Sequence, residues 1–328
     1  MKKLFLKLFL ASVPLILILA FYVYTDPFLV VRQYPHVYET KIKHLELNED
    51  YCMLERFKDE YPKKHYNTFI FGSSRGALYR GDHMEHLFAS KSYFTYTVAQ
   101  ETIYGVAKKL EFLDRTGTDI KNVLITMDND LLSTGSNSKG HLYRKHPSLS
   151  GETWLDFQIA NFMDVFNTEF ISSYYKLKKT TQADYELSIR DPYSLFDTLI
   201  MRNRDSFYSA RQPRFDQIIR TDSQRFNKNL IDEEVKTLLI SIKHILDKHH
   251  TNYIILIHPM YDQIKMAPVD FKILQTTFDQ NRIFDYSGIN NITKSKYNYY
   301  EPMHYRRNIV DSLMDDMYVR THPETVTK

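Results

Sequence analysis

The stretch Asn67-Thr-Phe-Ile-Phe-Gly-Ser-Ser-Arg-Gly76 decides the fold that this sequence predicts. An apolar, β-favouring run stops at a turn of small residues with two hydroxyl groups, which is typical of strand, tight turn and helix. Ligands of open α/β sheets bind at the carboxyl ends of the strands. Because Gly72 and Gly76 allow a sharp turn and close approach, we expect Ser74 to present its hydroxyl there. The same residues also suit a phosphate cradle or a plain turn.

The flanking sequence predicts a parallel sheet around this strand. Further strands are predicted at Ser92–Ala99, Asn122–Met127, Asn252–Ile257 and Arg282–Asp285, and helices at Ile103–Asp114, Leu230–His249 and Arg307–Tyr318. Alternating strands and helices indicate a flavodoxin-like three-layer α/β sandwich with a central parallel sheet. Between about residues 131 and 228 the alternation stops. This region predicts a helical insertion or lid at the sheet edge, with extra packing helices as the alternative.

The amino-terminal segment predicts a transmembrane helix that anchors the protein. Residues Leu8–Tyr24 are apolar apart from Ser12 and Pro14, and three lysines precede them. A run of this length is near the lower limit for a membrane span, so a cleaved signal peptide is the alternative. No cleavage pattern of small residues follows, and Tyr22 and Tyr24 resemble an interfacial belt. We therefore expect a retained anchor.

The lysines at the amino end predict the orientation of the chain. Basic residues stay on the cytoplasmic side, so the rest of the chain is expected outside the cytoplasmic (inner) membrane. Residues 1–25 would form the basic end and anchor, residues 26–64 a stalk and first helix, and residues 65–328 the α/β domain with its helical insertion at about 131–228.

Composition excludes several classes of function. Lys and Arg total 43 against 40 Asp and Glu, and a net charge of +3 is too balanced to indicate nucleic-acid binding. Because the chain has a single cysteine, Cys52, it can form neither an internal disulfide nor a metal site with several cysteine ligands. Asp82, His83 and His86 could be metal ligands, but we interpret them as a solvated helix start because no further ligand is implied. We predict neither a metal nor a cofactor.

Three polar motifs could act with Ser74. Glu301-Pro-Met-His304 places a carboxylate three residues before a histidine, where it can hold the tautomer of the ring while the other nitrogen faces a nucleophile. Asn129, after the third strand, could donate a hydrogen bond to a developing oxyanion, although Asn and Asp also favour turns there. His258, after another strand, is a competing base or only ends its strand.

Together these motifs resemble the SGNH/GDSL hydrolase superfamily, in the Gly-Ser-Ser form of its membrane-anchored envelope members. Gly72-Ser-Ser74 is similar to the first block, Met127-Asp-Asn-Asp130 to the Gly-x-Asn-Asp block, and Glu301-Pro-Met-His304 to the Asp-x-x-His block. The chain departs from the pattern in having Met127 for a glycine, Glu301 for an aspartate, and Gln100 where a glycine would donate to the oxyanion. The Gly-x-Ser-x-Gly spacing also matches the elbow of α/β-hydrolases, but the chain order argues against that fold.

The resemblance implies specific roles. Ser74 would be the nucleophile, His304 the general base and Glu301 its orienting carboxylate, and Asn129 with the backbone N–H of Ser74 would bind the oxyanion. The implied function is an extracytoplasmic serine-dependent esterase or O-acyltransferase acting on O-acyl groups of cell-envelope glycans. The acceptor, water or sugar, stays open. The alternative is a non-catalytic SGNH-like scaffold that binds a glycan or an envelope assembly partner, which the substituted blocks favour.

Overall fold

A computed structural model describes residues 2–34, 36–37, 42–188 and 192–323 of the chain. The chain divides into two compact units, of which the first combines Met1–Glu60 with Asn137–Arg190 and the second combines Tyr61–Ser136 with Asp191–Lys328. The region predicted as one insertion is therefore shared between the two units.

The described strands all belong to the second unit. In chain order they are β1 (Thr68–Gly72), β2 (Tyr93–Thr97), β3 (Asn122–Met127), β4 (Arg225–Phe226), β5 (Asn252–Ile257), β6 (Ile264–Lys265), β7 (Ile283–Asp285), β8 (Tyr299–Glu301) and β9 (His304–Tyr305). Five of them form a parallel sheet in the order β2-β1-β3-β5-β7. This is the flavodoxin-like order, so the predicted fold class is confirmed. β4 pairs with β6, and β8 pairs with β9 in an antiparallel hairpin.

The helices occur in both units. In chain order they are α1 (Lys2–Thr25), α2 (Glu49–Lys64), α3 (Gly81–Phe88), α4 (Ile103–Arg115), α5 (Pro147–Ser150), α6 (Trp154–Asp164), α7 (Thr168–Lys179), α8 (Gln182–Ser188), α9 (Pro192–Arg202), α10 (Arg204–Asp216), α11 (Glu233–Lys248), α12 (Pro268–Thr277) and α13 (Arg307–Thr321). Short 3-10 turns cover Ser74–Leu78, Gln280–Arg282 and Lys296–Asn298.

Capping residues and the alternation of strand side chains explain the layers of the second unit. α4 begins after Thr102 and α11 after Asp232, whose side chains accept hydrogen bonds from backbone N–H groups of the first turn. Successive strand residues point to opposite faces of a sheet. Ile70 of β1 and Leu124 of β3 thus share one core cluster with residues of α3 and α13. α4 and α11 contact each other.

A buried ion pair lies at the start of α4. The side chains of Glu101 and Lys109 are both fully buried and contact each other, and the Lys109 ammonium lies 4.5 Å from the centre of the Tyr96 ring. Charges this deep in a protein are tolerated only when they are paired. The pair therefore constrains how α4 sits against the end of β2.

The first unit includes the end of α1 in its core. Tyr22 is 2% exposed, its hydroxyl donates to Gln158 Oε1 at 2.8 Å, and its ring lies edge-on to Phe162. The prediction that Tyr22 forms part of an interfacial belt was therefore wrong, because the side chain packs against α6. Tyr24, by contrast, is 82% exposed.

The chain is ordered where it leaves α1. Buried Asp26 has a positive φ of 41°, and its carboxylate accepts hydrogen bonds from the backbone N–H groups of Val30, Val31 and Arg32. This turn is packed into the same core, which also contains Phe28 and Val30. α1 is long and apolar enough to cross a membrane.

We predict that Lys109→Met destabilises the protein by about 3–5 kcal/mol, because Glu101 is then left buried without its cation. The double variant Glu101→Gln/Lys109→Met should recover much of this loss. Lys121→Met, which breaks an exposed pair with Asp119, is the control and should leave the melting temperature nearly unchanged. Thermal unfolding followed by circular dichroism measures all three. Equal losses for Lys109→Met and Lys121→Met would contradict the prediction.

Candidate active site

The turn after β1 requires two glycines. Gly72 has a φ of +147°, and a Cβ atom there would lie 2.0 Å from Thr126 Oγ1. A Cβ atom at Gly76 would lie 2.6 Å from Thr97 Cγ2. Because no side chain fits at either position, the backbone of the turn lies directly against the neighbouring strands. The predicted sequence of strand, turn and helix forms here, with the helix reduced to a 3-10 turn.

The two serines of this turn face different surroundings. Ser73 is buried, and its hydroxyl donates to Asp128 Oδ2 at 3.0 Å. Ser74 is half-buried, and its Oγ lies 3.0 Å from Nε2 of His304. Only Ser74 therefore contacts a base from a partly exposed position.

Glu301 completes a relay of three side chains. Its Oε1 lies 2.8 Å from Nδ1 of His304, on the other side of the ring from Ser74. The sequence suggested a loop here, but the structure has the hairpin of β8 and β9, in which Glu301 and His304 are directly opposite. Residues opposite each other in an antiparallel pair present their side chains on the same face. A glutamate therefore reaches the ring without folding back.

The region predicted as an insertion supplies two contacts to this relay. Arg214 of α10 donates from Nη1 to Glu301 Oε2 at 3.1 Å, and the ring of Tyr193 of α9 lies 5.5 Å from the His304 ring. The hydrogen bond with His304, supported by Arg214, holds the pKa of Glu301 below its usual value. The carboxylate therefore remains ionised and can orient the imidazole.

Arg75 joins three parts of the site, and sequence reasoning missed it. The residue is 4% exposed, its Nε donates to the carbonyl of Met303 at 2.8 Å, and its Nη1 pairs with Asp128. Burial alone would raise the pKa of Asp128, but the charge of Arg75 and hydrogen bonds from Leu131 N–H and Ser73 hold it below its usual value. The signal in the sequence was an arginine inside a turn of small residues next to a buried strand.

The proposed oxyanion donors lie at the same edge of the sheet. Asn129 is half-buried, directly follows Asp128, and its side chain makes no hydrogen bond to the described part of the chain. Ser74 is the first residue of its 3-10 turn, where N–H groups have no partner within the helix. Gln100 has a φ of 51°, the left-handed conformation that glycine favours. The backbone thus keeps a glycine-like conformation at this position.

His258 does not contact Ser74. It is 1% exposed, its Nδ1 lies 2.8 Å from the hydroxyl of Tyr305, and its Nε2 has no partner among the described residues. Burial lowers the pKa of His258 to about 3, although nearby Asp128 opposes this shift. The imidazole next to Ser74 is therefore that of His304, and His258 stays neutral at physiological pH.

The second histidine cluster is less solvated than expected. His83 is 7% exposed, its Nδ1 accepts a hydrogen bond from Arg80 N–H, and its Nε2 lies 2.9 Å from Asp311 of α13. The prediction of a solvated helix start was wrong for His83, because α13 covers it. Within the described residues, no group of three or more His, Cys, Asp or Glu side chains could hold a metal ion.

No protein family model matches the sequence, and no curated protein matches it.

We predict that acid destabilises the protein partly through His258. The folded state has a lower pKa at this residue than the unfolded chain, whose value is about 6.5. As the pH falls below about 6.5, only the unfolded chain binds this proton, so stability declines from there towards pH 3. Urea unfolding between pH 6.5 and pH 3 measures this effect. The free energy of unfolding should depend less on pH in His258→Gln than in the wild type. His244→Gln, at an exposed position of α11, should keep the wild-type slope. If both variants keep that slope, His258 is not responsible.

Proposed function

We propose that this protein is an extracytoplasmic, serine-dependent esterase or O-acyltransferase of the SGNH type. The observation that carries the proposal is the relay from Ser74 Oγ through His304 to Glu301, with contacts of 3.0 and 2.8 Å. Nucleophile, base and orienting carboxylate within hydrogen-bond reach are the signature of nucleophilic acyl transfer. Ser74 is in a partly exposed turn at the carboxyl end of β1, where ligands of such folds bind, and the hairpin of β8 and β9 places His304 and Glu301 beside it.

The reaction follows from the geometry. His304 Nε2 takes the proton of Ser74 as its oxygen attacks the carbonyl carbon of an O-acyl group. The negative charge that develops on the carbonyl oxygen is stabilised by the N–H of Ser74 and the amide of Asn129. His304 then returns the proton to the leaving hydroxyl, and an acyl group remains on Ser74. Water or a second hydroxyl, activated by His304, releases that acyl group.

The substrate class and location are part of the proposal. The resemblance to envelope members of the superfamily supports O-acylated glycans of the cell envelope as substrates. The basic residues before α1 support an orientation with the catalytic unit outside the cytoplasmic membrane. The packing of Tyr22 into the first unit supports a retained anchor, because cleavage after this residue would remove a core side chain.

A non-catalytic SGNH-like scaffold that binds a glycan or an envelope assembly partner is the second candidate. The observation in its favour is Met127, which is fully buried where the superfamily has a glycine. A scaffold has no need of an aligned relay, whereas an enzyme does. The contact between Ser74 and His304 therefore favours the enzyme.

We predict that a fluorophosphonate probe labels Ser74. Wild-type protein in detergent should react covalently, and Ser74→Ala should abolish the labelling because the attacking oxygen is gone. Ser73→Ala is the matched control at the neighbouring hydroxyl. It should still be labelled, although more slowly, because it removes a hydrogen bond to Asp128. Absence of labelling in folded wild-type protein would favour the scaffold, and labelling that survives Ser74→Ala would exclude Ser74 as the nucleophile.

We predict a ranking of the relay variants. His304→Ala should slow labelling by about 100-fold or more because the general base is lost. Glu301→Gln should cost less, since removing the orienting carboxylate harms serine hydrolases less than removing the base. The superfamily pattern alone, which has aspartate here, suggests that Glu301→Asp is tolerated or activating. The structure predicts a lower rate instead, because the substitution shortens a side chain that already reaches the ring. Labelling time courses give the three rates, and a faster Glu301→Asp variant would contradict this geometry.

A further inference from the structure

α6 carries large apolar side chains on a face that the described part of the first unit leaves largely exposed. Leu155, Ile159, Met163 and, just beyond the helix, Phe166 recur every three or four residues and form one stripe. Their exposed fractions lie between 47% and 69%. We call these four residues the α6 stripe.

The opposite face of α6 is also apolar but buried. Phe157 and Val165 belong to the core of the first unit. A helix that is apolar on both sides is expected either inside a protein or in contact with lipid. The α6 stripe is not needed to hold α6 on its own core, so its composition requires another explanation.

The α6 stripe continues into the apolar surface of α1. A groove of about 700 Å³ lies between α1 and α6 and is lined by Leu15, Leu19, Leu155 and Ile159, among others. A second groove, of about 500 Å³, lies between α1 and α7, where Ile171 and Tyr175 are 58% and 60% exposed. These surfaces and the lipid-facing side of α1 therefore form one continuous apolar area.

The residues of α1 that line the groove with α6 lie at a depth typical of the membrane interface. Leu15 precedes Tyr22 by seven residues, which corresponds to about 10 Å along a helix axis. Helices in the membrane interface bury their apolar faces by about 5–10 Å. α7 ends in lysines, of which Lys178 and Lys179 lie over the rings of Tyr174 and Tyr175. Lysine and tyrosine together are typical of the boundary between lipid and water.

We propose that α6 and α7 lie in the membrane interface, with the α6 stripe, Ile171 and Tyr175 among the acyl chains of the leaflet at the carboxyl end of α1. The inference rests on α1 spanning the membrane, which is part of the proposed function. A bilayer that surrounds α1 up to Tyr22 necessarily meets α6 and α7, because both helices line grooves with that part of α1. Lipid is therefore favoured over a protein as the occupant of this surface.

The only tryptophan of the chain, Trp154 at the start of α6, provides the test. The full-length protein is reconstituted in phosphatidylcholine and phosphatidylglycerol vesicles, with or without bromine atoms on the acyl chains. Trp154 is 47% exposed and lines the groove with α1, so brominated lipid should remove at least about half of its emission. Aqueous iodide should have little effect.

Two matched variants test the interfacial position of α6 and α7 separately from the membrane span of α1. In a Trp154→Phe background, Leu10→Trp places the probe in α1 and should be strongly quenched by brominated lipid. In the same background, Ile240→Trp places it at an exposed position of α11, and it should respond to iodide instead. A third variant, Met163→Trp, probes the far end of the α6 stripe and should behave as Trp154 does.

The outcomes are distinct. If the Leu10→Trp probe is not quenched by lipid, α1 does not span the membrane and the anchor in the proposed function fails. If that probe is quenched while Trp154 responds to iodide and not to lipid, the anchor stands and the interfacial position of α6 is wrong. If Trp154 responds to neither quencher, a protein surface covers α6, and the proposal of a lipid contact is overturned as well.

Discussion

The site depends on the contacts of one buried group, the guanidinium of Arg75. It lies one residue after Ser74, pairs with Asp128 at the end of β3, and donates to the carbonyl of Met303, one residue before His304. Arg75 therefore links the turn that contains Ser74 to the hairpin that contains His304, although these segments are more than two hundred residues apart in the chain. A charge this deep is stable only while its partners stay in place, and loss of one partner of such a pair typically costs about 3–5 kcal/mol. The fixed distance between Ser74 and His304 is a consequence of this network.

The sequence was most informative where local chemistry decides the structure. The bounds of β3 and β5 were predicted correctly because both are continuous apolar runs between polar residues, as expected for strands buried on both faces of a parallel sheet. The meeting of Ser74 and His304 could be anticipated only from the order of the motifs. Once the fold places the two segments at one edge of the sheet, their contact follows.

Other features depend on contacts between distant residues, which a single sequence does not reveal. β8 and β9 have three and two residues, which is too few for a periodic pattern. The sequence therefore predicted a loop where the hairpin pairs Glu301 with His304. Arg214 is a largely exposed residue of an unremarkable helix, and only the tertiary structure places it on Glu301. The division into two units was hidden for the same reason, because residues 137–190 join a segment that lies far before them in the chain.

The turn at Asp26 has a mechanical consequence for the proposed anchor. A flexible linker after a membrane helix acts as a leash, and the domain it holds samples a volume set by the linker length. Here Asp26 fixes the next residues by three backbone hydrogen bonds, and Tyr22 and Phe28 pack into one core on either side of the turn. α1 is therefore attached rigidly to the rest of the first unit. With α1 in the membrane, as proposed, this unit would be unable to swivel or rise above the bilayer, and it would reach new surroundings only by diffusing with α1 in the membrane plane.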